Sequence, residues 1–263
     1  MNRLSTALAF DRALRARAAT RVSEIAGGLV LRHDGLPTKW ALNLAMLDAP
    51  LALPAGPDAI TRLADAHLGD LRHRHVMLDD AAAAERLAPE LIARGWKLQR
   101  IVYLAWGGGP LPAYREAVVR RIPERVIHEL QVAFSLEERD GHPEAAELAH
   151  ILAEGEVAMR TGSRAVGFGA GERGRVSASA TLYLDRPEHG GGVALIDEVG
   201  TLRADRRRGL GRAVVVAALE AALRSGCDPV VIPADVDDWP RSFYERLGFE
   251  RLGLQHSFVL DAG

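Results

Sequence analysis

The segment Arg206-Arg207-Arg208-Gly209-Leu210-Gly211-Arg212 places four arginines around two glycines. It follows an apolar stretch at 193–202 that is typical of a strand and precedes an Ala/Val/Leu-rich stretch, up to residue 224, that is typical of a helix. Glycine lets the backbone approach a phosphate closely, and the first N–H groups of a helix are unpaired and lie at the positive end of its dipole. Arginine also favours phosphate. The segment therefore predicts an anion-binding turn between a strand and a helix.

A second motif, Phe243-Tyr244-Glu245-Arg246-Leu247-Gly248-Phe249, follows about 30 residues later. Together the two motifs resemble the GNAT family of acetyl-CoA-dependent N-acetyltransferases. The pyrophosphate signature of that family, Gln/Arg-x-x-Gly-x-Gly/Ala, is matched by Arg206, Gly209 and Gly211. Its last helix often reads Leu-Tyr-x-x-Leu-Gly-Phe. The resemblance covers roughly residues 122 to 263 and is most specific in 193–249.

The basic turn has three alternative interpretations. A P-loop fits poorly because no Lys-Ser or Lys-Thr follows the glycines. A dinucleotide-binding fold fails because no Gly-x-Gly-x-x-Gly opens a helix. A solvated basic turn that only caps a helix remains as the structural alternative.

The composition is that of a soluble globular protein, with 263 residues, 48% hydrophobic and 26% charged. A net charge of -2 argues against a general nucleic-acid or membrane-surface role. The single cysteine, Cys227, excludes an internal disulfide and suits a reducing compartment. Charges near the N-terminus interrupt any signal-peptide core, and no apolar stretch approaches the ~20 residues of a membrane span. We expect a cytoplasmic protein.

A cluster of glycines and prolines at 107–112 interrupts the regular secondary-structure pattern of the sequence. We predict an N-terminal lobe at 1–106, a linker at 107–121 and a GNAT-like domain at 122–263. The expected fold class is α/β (α+β), with a mixed, mostly antiparallel twisted sheet flanked by helices and a second, smaller α/β lobe. A terminal hairpin is predicted at 249–260, with its turn near Gly253.

The end of the N-terminal lobe resembles the end of the C-terminal domain. Gly95-Trp96, after a predicted helix, stands where Gly248-Phe249 stands after another. We therefore interpret 1–106 as a degenerate GNAT-like lobe in a tandem arrangement, without an Arg-x-x-Gly-x-Gly to hold CoA. An unrelated α/β specificity domain is the alternative.

The resemblance implies that acetyl-CoA is the co-substrate and that the backbone of the turn binds its diphosphate. The implied contacts are Arg206, Arg207, Arg208, Gly209, Leu210, Gly211 and Arg212. It also implies that the backbone of the preceding strand, at Val199, Gly200, Thr201 and Leu202, pairs with the pantetheine arm. Gly200 is compatible with a bulge or a close approach there.

Two carboxylates on the same strand, Asp197 and Glu198, are candidate bases for the amine. Strand alternation directs only one of them to the cleft, Asp197 if it shares the face of Val199 and Thr201, whereas a bulge would exchange the two. Burial would raise the carboxyl pKa toward that of a useful base. The alternative is a carboxylate that only binds a cationic substrate or solvates the strand end.

Tyr244 matches the tyrosine that in many GNAT proteins protonates the departing thiolate. The alternative interpretation is that Tyr244 is only an aromatic residue of the core. Asp237 stands where many members place an asparagine that binds the cofactor arm. An aspartate cannot donate as an amide does. His73 and His75 have the spacing of a metal pair but no third ligand, so no metal is expected.

The sequence thus predicts an N-acetyltransferase that moves an acetyl group from acetyl-CoA to a small-molecule or peptide amine, by direct attack through a tetrahedral intermediate. The alternative is a catalytically silent acyl-CoA-binding or regulatory protein. No nucleic-acid or membrane partner is expected. The acceptor and the oligomeric state, a homodimer included, stay open.

Overall fold

The computed structural model describes residues 2–48, 56–172, 174–185 and 192–261. In these ranges, seven α-helices and eleven strands form a mixed α/β fold around one continuous sheet. The helices are α1 (Arg3–Ala18), α2 (Pro57–Leu68), α3 (Ala81–Ala93), α4 (Glu124–Glu138), α5 (Ala145–Thr161), α6 (Leu210–Arg224) and α7 (Pro240–Arg246). The strands are β1 (Arg21–Ile25), β2 (Gly28–Arg32), β3 (Leu44–Leu47), β4 (His73–Leu78), β5 (Lys97–Trp106), β6 (Val119–Ile122), β7 (Arg164–Ala170), β8 (Ala178–Leu184), β9 (Ala194–Thr201), β10 (Val230–Asp235) and β11 (Phe249–Asp261).

The strand order is β1-β2-β3-β4-β11-β5-β10-β9-β8-β7-β6. In the described part of the chain, β3 with β4 and β9 with β10 are parallel pairs, and the other neighbours are antiparallel. The predicted fold class, a mixed and mostly antiparallel sheet flanked by helices, is confirmed.

The same succession of elements occurs twice. A strand, a helix, a parallel strand, a second helix and a long strand follow each other as β3-α2-β4-α3-β5 and again as β9-α6-β10-α7-β11. Gly95 and Gly248 end α3 and α7 with φ of 88° and 97°, a conformation that glycine adopts without strain. Trp96 and Phe249 then turn into the core, each 2% exposed. The two segments that look alike in sequence thus occupy equivalent places.

The two long strands are exchanged between the halves of the chain. β11 lies between β4 and β5, while β5 lies between β10 and β11. β5 and β11 pair antiparallel from Phe249 opposite Trp106 to Val259 opposite Lys97. The two halves therefore share main-chain hydrogen bonds in one sheet.

The predicted terminal hairpin is wrong, because 249–261 forms one strand. Gly253 lies at an irregularity in the register with β5, not at a turn. A Cβ atom built on Gly253 would lie 2.3 Å from Cδ2 of Leu4, so the glycine makes room for α1. A close approach of this kind and a turn both require glycine, and the sequence alone does not separate them.

Strand β9, which carries the candidate bases, is covered on both faces. On one face, Ala194 and Ile196 join a core with α6. On the other, Leu195 joins a core with α1 and with Met159 of α5. Helix α4 lies beside α5 and also contacts β9.

Candidate active site

Strands β9 and β10 separate after a short paired stretch. They pair only at Val230 with Ala194 and at Val231 with Leu195. Beyond these pairs, β9 continues to Thr201 and β10 to Asp235 without pairing to each other. The gap leaves backbone N–H and C=O groups along both inner edges, where an extended ligand can pair as a strand would.

A β-bulge lies in β9 beside this gap. Ser179 of β8 pairs with Gly200, whereas Thr181 pairs with Asp197, so β9 holds one residue more than its partner. The backbone accommodates the added residue at Glu198, whose φ is 55°. The sequence predicts a bulge near Gly200, and the structure places it at Glu198.

The bulge brings both candidate bases to the same face. Glu198 contacts Thr181 and Tyr183 of β8 on the side of α5, and Asp197 is influenced by charges from α1 and α5. Val199 instead packs on the α6 side. The expectation that only one carboxylate faces the site, with Asp197 on the face of Val199 and Thr201, is therefore wrong, because the bulge interrupts the alternation between Asp197 and Val199.

Gly200 permits the close packing of α4 on β9. A Cβ atom on Gly200 would lie 2.2 Å from Cε2 of Phe134 and 2.3 Å from its Cδ2. Phe134 is buried in a small core with residues of α4 and β6. The close approach predicted at Gly200 is thus to a ring of the protein itself.

Asp197 is a partly buried carboxylate with unused hydrogen-bonding capacity. Its Oδ1 accepts the backbone N–H of Glu198 at 2.8 Å, and no hydrogen bond to Oδ2 is found among the described residues. Burial, and then the charge of Glu156, raise the pKa of Asp197 to about 6. A carboxylate with this pKa can take a proton from an ammonium group near neutral pH.

Glu198 differs from Asp197 because its oxygens are bonded to other side chains. Its side chain is 4% exposed and contacts Arg160, Tyr183 and Thr181, the last at 2.8 Å. Arg160 also binds Glu124, with Nη2–Oε1 at 2.7 Å and Nε–Oε2 at 2.8 Å. Burial and the neighbouring Glu156 raise the pKa of Glu198. These contacts hold the bulge in place.

Tyr244 of α7 lies in the core at 5% exposure, between the rings of Phe243 and Phe249. Burial, and then the charge of Asp197, raise its pKa well above 10, so the phenol stays protonated at neutral pH. Its hydroxyl makes no hydrogen bond to a described residue. The phenol therefore keeps a proton that no described residue engages, within range of the charge of Asp197.

The basic turn has the backbone shape of an anion site. Arg207 and Gly209 have φ of 62° and 78°, and Gly209 is the residue that precedes α6. No described backbone carbonyl accepts from the amides of Arg207, Arg208 or Gly209. Gly211 lies in the first turn of α6, where an added Cβ would come 3.2 Å from Oγ1 of Thr201. The free amides, the helix dipole and the end of β9 meet here.

The arginine side chains of this turn are mostly engaged by the protein. Arg206 donates to the carbonyl of Thr201 at 3.1 Å, and Arg212 to that of Ala113 at 2.7 Å. Arg208 binds Asp205, at 2.6 Å, and Glu172. Arg207 makes no hydrogen bond or ion pair to a described residue. The turn therefore has more backbone N–H groups than arginine side chains that are open to an anion.

Three further predicted residues lie at the edges of the site. Leu202 ends the strand segment and packs against the Phe134 core. Leu210, 2% exposed, anchors the start of α6 in the main core. Asp237 is exposed in the turn after β10, where its N–H donates to Asp235 Oδ1 at 2.9 Å.

Sequence reasoning missed the charged residues beneath the two carboxylates. Arg160, Glu156 and Lys39 approach from α5 and from the N-terminal half. Gly155 is a signal that could have been used, because a glycine inside a helix needs a packing reason. Here a Cβ would lie 2.5 Å from Cε of Lys39.

The equivalent strands of the N-terminal half form no such gap. β3 and β4 pair through Leu47 and Leu78, the last residues of both strands. Beyond them, Arg12 of α1 makes ion pairs with both Asp48 and Asp79 and so bridges the two strand ends.

The two histidines of β4 have structural partners. His73 Nε2 lies 3.1 Å from the carbonyl of Asn43, and His75 contacts the carbonyl of Trp40 and the hydroxyl of Ser257. The described residues contain no group of three or more His, Cys, Asp or Glu side chains that could hold a metal ion. None of the described helices has the length and apolarity to cross a membrane.

The sequence of the second half matches a known family. Residues 124–249 match the family model of the acetyltransferase (GNAT) family, and they include the basic turn, the gap and Tyr244. This part of the chain is a GNAT domain. Comparison with curated protein sequences gives no significant match.

Solved structures share the fold across nearly the whole chain. A GCN5-related N-acetyltransferase from Kribbella flavida is 19% identical, with a TM-score of 0.60 over 98% of this chain and 96% of its own. A tandem GNAT protein from the clavulanic acid biosynthesis pathway is 18% identical, with a TM-score of 0.56 over 90% of this chain and 79% of its own. A functionally unknown conserved protein from Staphylococcus epidermidis is 13% identical, with a TM-score of 0.67 over 92% and 94%. At these identities the likeness concerns the fold.

Proposed function

We propose that this GNAT domain transfers an acetyl group from acetyl-CoA to a primary amine, by direct attack through a tetrahedral intermediate. The observation that carries the proposal is the meeting, at one gap between β9 and β10, of free backbone groups, an anion-binding turn, a carboxylate with a raised pKa and an unengaged phenol. Together these four features answer three needs of acyl transfer: anchoring of the cofactor, polarisation of the thioester carbonyl, and proton movement.

The chain's own residues divide these tasks. The amides of Arg207, Arg208 and Gly209, with the start of α6, are suited to hold the diphosphate of acetyl-CoA. The unpaired edge of β9 at Val199–Thr201 is suited to align the pantetheine arm and to donate to the thioester carbonyl. Asp197 takes the proton of the attacking amine, directly or through water. Tyr244 donates a proton to the departing thiolate.

Asp197 is a better base than Glu198 for a geometric reason. Glu198 is 4% exposed at its side chain and is fully engaged by Arg160, Thr181 and Tyr183. Asp197 keeps one oxygen free of described partners. We assign the base to Asp197 and a structural role in the bulge to Glu198.

We propose further that the acceptor is a cationic small-molecule or peptide amine. The side of β9 that carries both carboxylates faces α1 and α5, so the N-terminal half forms part of the acceptor wall. On this basis residues 1–106 are a GNAT-like lobe that has kept its fold and lost its ligand gap, in a tandem arrangement with 122–263.

Titration calorimetry with acetyl-CoA tests the cofactor site. Wild type is expected to bind at micromolar Kd, and Gly211→Glu to lose binding at least tenfold, because it places a carboxylate among the phosphate-binding amides. Ser225→Glu, at the exposed far end of the same helix, is the matched control and should bind as wild type does. Equal binding by Gly211→Glu would exclude the turn as the diphosphate site.

Thiol release with a panel of amines then tests the reaction. Polyamines, amino acids, aminoglycosides and peptide N-termini cover the acceptor classes. Release of CoA that depends on one amine establishes the transfer. Tight acetyl-CoA binding without turnover on any amine would instead establish a catalytically silent acyl-CoA-binding protein.

A further inference from the structure

Helix α4 follows the end of β9 from the bulge to the basic turn. Three of its residues, spaced three apart and therefore neighbours on the helix surface, contact successive parts of the strand and its exit. The pairs are Gln131 with Glu198, Phe134 with Gly200, and Glu137 with Arg203. In the first pair, Nε2 of Gln131 donates to the backbone carbonyl oxygen of Glu198 at 3.0 Å.

The backbone of Glu198 is held by side chains instead of a neighbouring strand. Its φ of 55° is uncommon for a residue other than glycine and persists only where the surroundings hold it. In the described register of β8 with β9, neither Glu198 nor Val199 has a partner. The N–H of Glu198 donates to Oδ1 of Asp197 at 2.8 Å, and its C=O accepts from Gln131. Gln131 is thus the contact that holds the peptide unit after Glu198.

The direction of this peptide unit decides where the N–H of Val199 points. The C=O of Glu198 and the N–H of Val199 belong to one planar trans unit, so they point in opposite directions. Because the C=O points to Gln131 on α4, the N–H of Val199 points away from α4. Helix α6, which begins at the basic turn, covers the other face of β9. The N–H is therefore directed away from the protein's own helix α4 and toward the side where an anion held by the turn would lie.

We infer that Gln131 is a positioning residue for the acyl-transfer site: by binding the carbonyl of Glu198, it fixes the N–H of Val199 in the orientation that donates to the thioester carbonyl. This inference rests on the proposed function, which assigns that donor to the edge of β9. Rotation of the peptide unit would present the carbonyl oxygen of Glu198 instead, and its partial negative charge would oppose a developing oxyanion. Gln131 acts through the backbone and not by contact with the ligand.

The contact is not needed to keep α4 on the sheet. Phe134 is buried in the core between α4 and β6. At the start of the helix, Arg160 binds Glu124 through Nη2–Oε1 at 2.7 Å and Nε–Oε2 at 2.8 Å. Loss of the Gln131 amide should therefore leave the helix in place and release only the peptide unit after Glu198.

NMR of the ligand-free, full-length protein observes this peptide unit directly. Glu-Val occurs in the sequence only at 156–157 and 198–199, so labelling glutamate carbonyls with ¹³C and valine with ¹⁵N gives two doubly labelled signals. Val157→Ile identifies the first of them. In Gln131→Met, which keeps the length of the side chain and lacks the amide, the Val199 signal should shift or split. The Val157 signal, from α5, should stay where it is.

Infrared difference spectroscopy with acetyl-CoA, labelled with ¹³C at the acetyl carbonyl, measures the polarisation. On wild type the carbonyl stretch is expected at a lower frequency than in water, and on Gln131→Met close to its value in water. The kcat of Gln131→Met should fall at least about tenfold, up to the roughly 10²–10³-fold effect of a lost oxyanion donor. The Kd for acetyl-CoA should stay within about threefold of wild type, because uniform binding by the turn is untouched.

Glu129→Gln, at an exposed carboxylate of the same helix, is the control and should match wild type in all three measurements. If Gln131→Met does not fold, Gln131→Glu replaces it at pH 8, where a carboxylate of the same shape has no proton to donate.

An unchanged Val199 signal in the Gln131 variant would overturn the inference. So would a shifted signal with the carbonyl stretch and kcat of wild type, because Gln131 would then only attach α4 to β9. A wild type without turnover removes the proposed function, whereas the Val199 signal decides the Gln131 contact independently.

Discussion

Replacing Asp197, the proposed base, by asparagine should make the protein more stable while it removes activity. The pKa of Asp197 is raised from the usual 3.8 to about 6 in the folded protein, first by burial. Folding therefore favours the protonated carboxyl, and ionisation destabilises the native state as the pH rises from 3.8 through 6. One pKa unit corresponds to about 1.4 kcal/mol, so the full difference amounts to about 3 kcal/mol.

Asparagine removes this charge without changing the shape of the side chain. Its carbonyl can still accept the N–H of Glu198, which Oδ1 of Asp197 accepts at 2.8 Å. Compared with wild type, Asp197→Asn should gain about 3 kcal/mol at pH 8 and about half as much at pH 5, where the wild-type carboxyl is mostly protonated. The pH dependence of the gain is the signature of the buried charge.

Urea unfolding at pH 5 and pH 8 measures both values, with acetyl transfer recorded at pH 8. The transfer rate should fall by about 10²–10⁴. Asp140→Asn, at a carboxylate whose side chain is 81% exposed, is the control and should change stability equally little at both pH values. A gain for Asp197→Asn that is the same at both pH values would refute the claim that folding raises the pKa of this carboxyl.

Two further predictions concern Tyr244 and Gly200. Tyr244→Phe should lower kcat by about 10²-fold and leave acetyl-CoA affinity within threefold of wild type, because the ring stays and only the proton donor is lost. Rapid-quench kinetics measures the rate and calorimetry the affinity. An unchanged kcat would show that Tyr244 has a purely structural role. Gly200→Ala should destabilise the protein by about 1–3 kcal/mol through its clash with Phe134, at 2.2 Å from Cε2. Gly200→Ala with Phe134→Leu should recover part of that loss in urea unfolding, and purely additive destabilisation would contradict the proposed contact.

The residue pattern was sufficient to predict the elements that depend on local chemistry. The basic turn lies before a helix because Gly209 adopts φ of 78° and apolar residues of α6 follow it. The similarity of Gly95-Trp96 to Gly248-Phe249 corresponds to equivalent places in the fold, since both glycines end a helix with positive φ.

Features that depend on distant contacts were not predictable from the sequence. The bulge at Glu198 requires Arg160, Thr181 and Tyr183, which lie 15 to 38 positions away along the chain. The local sequence predicts a turn at Gly253, whereas the residue that requires glycine there, Leu4, lies far away along the chain. Alternation counted back from Val199 also predicts the wrong face for Asp197, because one added residue between them reverses the pattern.

The exchange of β5 and β11 makes the N-terminal half part of the candidate site, although its own strands β3 and β4 form no gap. Without β5, the outer edge of β10 would be unpaired, and β10 is one wall of the gap. The same half provides Arg15 and Asp11 near Asp197, and Lys39 beneath Glu198. We expect neither half to fold alone, because each needs the long strand of the other to complete its sheet.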